Sequence, residues 1–174
     1  PLRLVDFTSD EKISLKSYNF LTMKPVIYLA NICEEEIGKE NEYVKKVEEY
    51  AQGERAISIT ICAKVECELS ELEEEDKDEM LNALGLEESG LDKLVKATYR
   101  LLGLKTYFTV GSDEVRAWTY KEGMNAKQCA GIIHTDFEKG FIKAEVMSYQ
   151  DLVEFGSEIK VKEQGKLRLE GKDY

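Results

Sequence analysis

The chain has 174 residues, with 24 Lys plus Arg against 35 Asp plus Glu for a net charge of −11, 43% hydrophobic residues and 34% charged ones. That length fits one domain or two small ones, and that apolar content builds a core, which excludes wholesale disorder. The acidic balance excludes a uniformly basic nucleic-acid coat but leaves room for a local basic patch. Apolar runs such as Val26–Ala30 are too short to span a bilayer.

In chain order, the start PLRLVDFTSDEK is charged within three residues and does not read as a signal peptide. Thr8 or Ser9 caps a first helix with Glu11 in its first turn. Ile13, Leu15, Tyr18, Phe20 and Leu21 give that helix a mixed apolar face, and it ends before Pro25, which disfavours helix at Lys24. Residues 25–31, PVIYLAN, are a continuous apolar run of the kind found in a fully buried parallel strand. After the polar stretch NICEEEIGKEN, Tyr43, Val44, Val47, Tyr50 and Ala51 fall at helical spacing over 42–51, and Gly53 closes that helix. Residues 56–62, AISITIC, make a second, β-branched strand. Strand, helix, strand with a crossover of roughly 25 residues is a βαβ unit, so the pairing is parallel and the connection right-handed.

An acidic run, ELEEEDKDE, follows and reads as a solvated helix face, with Leu69, Leu72, Met80, Leu81 and Leu84 as its apolar stripe. Ser89-Gly90 opens another helix, with Leu91, Leu94, Val95, Tyr99 and Leu102 on one face, and Gly103 ends it. A domain boundary is placed near Gly103, because the texture then changes. Residues 105–111 and 114–120 are strands joined by a hairpin turn at Gly111-Ser112-Asp113. Residues 125–134 form a short helix capped by Asn125, residues 141–149 a further strand, and Gln150 to Phe155 a helical turn. The remainder is charged and reads as unfinished; together with the non-Met start, this marks the chain as a piece of something longer. Four cysteines (Cys33, Cys62, Cys67 and Cys129) and one histidine lack the close ligand pairs of a zinc site and read as free thiols.

Chemistry is expected at the carboxyl ends of the two parallel strands, where open α/β sheets bind ligands. The two loops there read Asn31-Ile32-Cys33-Glu34 and Cys62-Ala63-Lys64-Val65-Glu66. P-loop GTPases keep base-recognition loops of the form N-K-x-D and S-A-K in these places. Here N-I-C-E keeps the asparagine, whose amide suits the donor–acceptor edge of adenine. Glu34 stands one methylene longer than the guanine-reading Asp, and Ile32 replaces the Lys. The pattern tilts from guanine to adenine. The plainer alternatives are a turn or N-cap role for Asn31, packing for Ala63 and a surface role for Lys64.

FLTMKPVIYLANICEEE and TYFTVGSDEVRAWTYKEGMNAKQCAGIIHTDFEKGFIKAEV resemble the YchF (Obg-like ATPase) family essentially end to end, the RAWT and HTDFEKGFI segments being the most specific. The resemblance implies a ribosome-associated, cytoplasmic ATPase that prefers ATP to GTP. It implies no membrane or DNA partner. By position it makes Asn31, Ile32 and Glu34 the base-specificity loop, with the Ile32 main chain on adenine, and Cys62, Ala63 and Lys64 the second base-contacting loop. The implied fold is α/β. Residues 1–24 return from a helical insertion. Residues 25–103 are the second half of a P-loop GTPase-like domain with a parallel sheet. Residues 104–174 are a TGS domain of β-grasp type, cut before its last strand or two.

No G-x-x-x-x-G-K-[ST] and no D-x-x-G occur, so phosphate and magnesium ligands are expected upstream of Pro1 and no catalytic residue within this chain. In the TGS part, Arg116, Trp118, His134 and Lys139 are the candidate RNA- or ribosome-binding residues. Arg116 and Trp118, two apart on a strand, share a face and offer a cation and a ring for stacking. The alternative makes Trp118 core and pairs Arg116 with Asp136 or Glu138; His134 is either a titrating group or a structural one. Lys160, Lys162, Lys166, Arg168 and Lys172 form a basic streak offset by Glu158, Glu163 and Glu170.

Overall fold

The computed structural model describes residues 1–111 and 114–174. These divide into two compact units, Pro1–Leu101 and Leu102–Tyr174. In the first unit, helix α1 (Ser9–Lys16) is capped by Thr8, not Ser9. The Glu11 N–H donates to the Thr8 hydroxyl and the Glu11 carboxylate accepts from the Thr8 N–H, a closed capping box. One-turn 3-10 helices at Leu2–Leu4 and Leu21–Met23 flank it. The expected apolar face is not buried: Ile13 is 70% and Leu21 84% exposed.

Strands β1 (Ile27–Asn31) and β2 (Ile57–Ile61) pair in parallel, from Ile27 opposite Ile57 to Asn31 opposite Ile61. Helix α2 (Glu42–Gly53) makes the crossover and packs on both strands, its first turn capped by the Asn41 side chain, which accepts from the Tyr43 and Val44 N–H groups. Gly53 is the last helical residue, not the left-handed one after it; Arg55 takes that conformation, at φ 53°. β1 is only half-buried, with Leu29 exposed, because this sheet has two strands among the described residues and β1 has one neighbour. Glu54, just past α2, ties the unit's start to its sheet. Its carboxylate accepts from Tyr28 Oη (2.5 Å), Arg3 Nη2 (2.7 Å) and Tyr50 Oη (3.2 Å). Those bonds, Tyr28's first, hold its carboxyl down at about 2.

Three helices complete the unit: α3 (Ala63–Ser70), α4 (Glu74–Ala83) and α5 (Gly90–Leu102). Cys62, Val65 and Leu69 are buried, and Ile32, Ile37, Met80, Leu81 and Leu84 pack against them. The acidic run lies at the start of α4, where Glu74, Glu75 and Asp76 complement the helix dipole. Leu91, Val95 and Leu102 of α5 remain exposed instead of lying in a core.

The second unit opens with an antiparallel hairpin of β3 (Leu104–Val110) and β4 (Val115–Lys121), Leu104 opposite Lys121 and Val110 opposite Val115. Gly103 takes φ 64° between α5 and β3, a left-handed turn that glycine adopts without strain. Ser112 and Asp113 of the expected hairpin turn lie outside the described residues. Helix α6 (Ala126–Ile133) carries the expected Asn125 cap, closed reciprocally by Gln128, and packs on β4. Tyr107 Oη donates to the Cys129 carbonyl (2.8 Å), and burial pushes that phenol up to about 12.

Helix α7 (Thr135–Gly140) follows, then β5 (Ala144–Val146), α8 (Tyr149–Phe155), α9 (Glu158–Glu163) and β6 (Arg168–Glu170). The strand expected over 141–149 shortens to three residues because Ser148 caps α8, accepting from the Asp151 N–H. The charged tail carries regular structure: β6 pairs antiparallel with β5, and Val161 of α9 is fully buried. The described strands form three two-stranded sheets and not one mixed sheet. Charge divides unevenly. The first unit holds 13 basic against 23 acidic residues, the second 11 against 12.

Candidate functional site

Parallel pairing brings the two loops at the carboxyl ends of β1 and β2 side by side. Asn31 Oδ1 accepts the backbone N–H of Ala63, at 3.0 Å. Ala63 is the first residue of α3, and Cys62 before it supplies no side-chain cap. Asn31 therefore caps α3 from the neighbouring strand, satisfying a donor the helix cannot satisfy itself. Its amide also carries two N–H donors on Nδ2. The Ile32 N–H donates to the Ile61 carbonyl (2.9 Å), which extends the β1–β2 pairing by one residue.

Glu34 opens a 3-10 turn, Glu34–Glu36. Lys64 Nζ donates to Glu34 Oε2 at 2.8 Å and lies 3.8 Å from Glu68. The Glu34 hydrogen bond holds the Lys64 ammonium above its ordinary range. Lys64 is thus not a free surface lysine but the bridge between the two loops. The Asn31–Ala63 and Lys64–Glu34 hydrogen bonds tie the two loops together, and Cys62 lies in the buried cluster beside them.

Glu66, three residues on from Ala63, has a role the sequence reading missed. Its two carboxylate oxygens accept the N–H groups of Gly90 (2.7 Å) and Leu91 (3.0 Å) and cap α5. The available signal was an acidic residue on α3; the start of α5 also carries its own cap, Ser89 Oγ, which accepts from the Asp92 N–H (3.0 Å). A cavity of about 180 Å³ lies behind the loops, walled by Ile32, Ile37, Cys62, Val65, Gly90 and Lys93 among others. Ile32 and Cys62 of the two loops help wall it, whereas Asn31, Glu34, Ala63 and Lys64 do not.

In the second unit, the Arg116 guanidinium stacks 4.3 Å from the Trp118 ring centre. The Trp118 Nε1–H donates to Thr109 Oγ1 on β3, at 2.9 Å. Trp118 is half-buried and not core, and Arg116 is 4.0 Å from Glu114, its ion partner in place of Asp136 or Glu138. Strand parity puts Arg116, Trp118 and Thr109 on one face, ready-made for stacking. His134 and Lys139 sit at opposite ends of α7. His134 Nδ1 accepts the Asp136 N–H (3.1 Å), the structural role of an N-cap, and Lys139 is exposed in the last turn. Of the basic streak, Arg168 is committed to Glu170 and to the Tyr174 hydroxyl. The four cysteines are free, Cys62 buried and Cys33 and Cys67 exposed. No described helix is long and apolar enough to cross a membrane.

Residues 104–174 match the family model for the C-terminal region of YchF-type GTPases, described as a protein of unknown function (DUF933). The ribosome-binding ATPase YchF of Bacillus subtilis is 54% identical over 176 residues, covering 100% of this chain and 48% of the relative. The human Obg-like ATPase 1 is 43% identical, covering 100% of this chain and 45% of the relative. The solved structure of the Schizosaccharomyces pombe YchF GTPase superposes with a TM-score of 0.89 at 37% identity, covering 100% of this chain and 47% of that one. The chain spans about half the length of the curated relatives it matches. With a family-model match over residues 104–174 and relatives of 43–54% identity that cover the whole of it, the chain belongs to the YchF (Obg-like ATPase) family.

Proposed function

We propose that this chain supplies the adenine-reading loops and the ribosome-docking module of an ATPase that binds and hydrolyses ATP in preference to GTP. The observation that carries this is the Asn31–Ala63 hydrogen bond. It ties together two loops at the carboxyl ends of parallel strands, with Asn31 and Ile32 at the end of β1. Similarity to ribosome-binding ATPases supports the reading. The residues present suit a base, not a triphosphate. The sequence holds no G-x-x-x-x-G-K-[ST], so the phosphates and their Mg²⁺ are assigned to a segment outside these 174 residues, and so is the hydrolytic step. Within this chain the work is positioning: holding the base so that the phosphates reach that machinery.

The test is an amide NMR titration of the chain with AMP and with GMP. AMP is expected to shift Ile32, Cys33 and Ala63 at lower concentration than GMP. Asn31→Ala is expected to cut AMP affinity about three- to tenfold, the value of one hydrogen bond. Equal affinity for the two nucleotides, or an unaffected Asn31→Ala, counts against base reading.

Residues 104–174 are proposed as the TGS module, and its hairpin face with Arg116 and Trp118 as a contact for ribosomal RNA in the cytoplasm. The near-neutral charge of the second unit, against the acidic first, favours that unit for a polyanion. Arg116→Glu is expected to weaken ribosome cosedimentation and lower its salt slope by roughly 1. Pelleting identical to the parent at every salt concentration would remove Arg116 from the interface.

A further inference from the structure

Three consecutive glutamates follow the Asn31-Ile32-Cys33 turn, and the structure gives each a different fate. Glu36 turns inward on its own loop, accepting from the Cys33 N–H (3.0 Å) and from Asn41 Nδ2 (2.8 Å). Glu35 is exposed. Glu34 alone is tied to the opposite loop, through Lys64 at 2.8 Å on Oε2. Lys64 itself is placed by the Asn31–Ala63 bond one residue earlier, which anchors the first turn of α3 beside the end of β1.

A guanine offers two donors side by side, N1–H and N2–H, and a carboxylate reads them with both of its oxygens and its full charge. Adenine offers one exocyclic donor there, N6–H, for which a single acceptor such as the Ile32 carbonyl is enough. We propose that Lys64 is a specificity-determining residue: by holding Glu34 Oε2 it takes one oxygen and part of the charge away from a guanine edge, and so favours adenine. This rests on the base-site reading given under Proposed function. The ion pair turns a residue one methylene from a guanine-reading Asp into a poor guanine acceptor, without removing the acid.

Both partners are partly exposed, with side-chain accessibilities of 67% for Lys64 and 37% for Glu34. Exposed pairs are weak, so the discrimination they add is expected to be three- to fivefold and no larger.

The experiment is the same AMP and GMP titration, applied to Lys64→Ala and Lys64→Gln in the chain and again in a Glu34→Gln background. Freeing Glu34 is expected to raise the ratio of GMP to AMP affinity three- to fivefold, through a gain in GMP binding, for both substitutions. In the Glu34→Gln background, where no carboxylate remains to be freed, the same substitutions are expected to have no effect on GMP. Unchanged GMP affinity in a parent that prefers AMP overturns the proposal. An equal gain in the Glu34→Gln background also overturns it, because the effect then does not pass through Glu34. If neither nucleotide shifts the Ile32 and Ala63 amides of the parent, the base site itself fails and the proposal falls with it. Dispersed spectra of each variant establish that it is folded.

Discussion

Leu69→Ala is expected to lower the stability of the first unit by about 2–5 kcal/mol, measured by chemical denaturation. Leu69 is 4% exposed on α3 and packs with Cys62 and Val65 against Met80, Leu81 and Leu84 of α4 and its C-terminal end. Truncation removes buried methyl groups and leaves a cavity among helices whose other faces are already in solvent. A domain holds only about 5–15 kcal/mol in total, so this one change approaches the whole margin. The matched control is Ile13→Ala on α1, 70% exposed and expected to change stability by under about 0.5 kcal/mol. Comparable losses at both positions would mean that the buried cluster around α3 is not the core of this unit.

Gly90→Ala is expected to cost about 1–3 kcal/mol from overpacking alone. A β-carbon there would lie 2.6 Å from Ile61 Cγ2 and 2.8 Å from Glu66 Oε1. Ile61 belongs to β2 and has little freedom to give way, so the clash pushes α5 off its cap. Loss of the Glu66 bonds to Gly90 and Leu91 then adds about 0.5–2 kcal/mol. Gly53, at the end of α2, has no atom within 4 Å of a built β-carbon. Alanine there is expected to be neutral or mildly stabilising, since it lowers unfolded-state entropy without a clash. Denaturation midpoints of the two variants separate steric from conformational effects. A Gly90→Ala protein as stable as its parent would show that α5 does not depend on its close approach to β2.

The parallel pair and its crossover were legible in the sequence because two β-branched runs flank a helix with clear 3.6-residue spacing. Capping was legible at Thr8-x-x-Glu11 and Asn125-x-x-Gln128, where the chemistry is local. Helices α7 and α9 were not, since each has six residues, no apolar period and a start set by one side chain, His134 or Ser157. The apolar faces of α1 and α5 were legible as apolar, but several of their residues, Ile13, Leu91 and Val95 among them, are exposed. Spacing tells which side of a helix is oily, not whether anything covers it. At the site, Asn31 and Lys64 could be picked out by position. Their partners, Ala63 and Glu34, lie 32 and 30 residues away in sequence and become neighbours only through the strand register. Glu66 was overlooked for the same reason, since Gly90 reaches it only through the packing of α5.

The uneven division of charge between the two units has a kinetic consequence. A polyanion repels the unit with 23 acids and 13 bases at any distance within the Debye length, roughly 10 Å at 0.1 M salt, and hardly repels the one with 12 and 11. Collisions led by the first unit are turned away before surfaces touch, while those led by the second persist long enough to search for register. Orientation is therefore sorted during diffusion and not after contact, and added salt relaxes that sorting by shortening the range over which the acidic unit is felt.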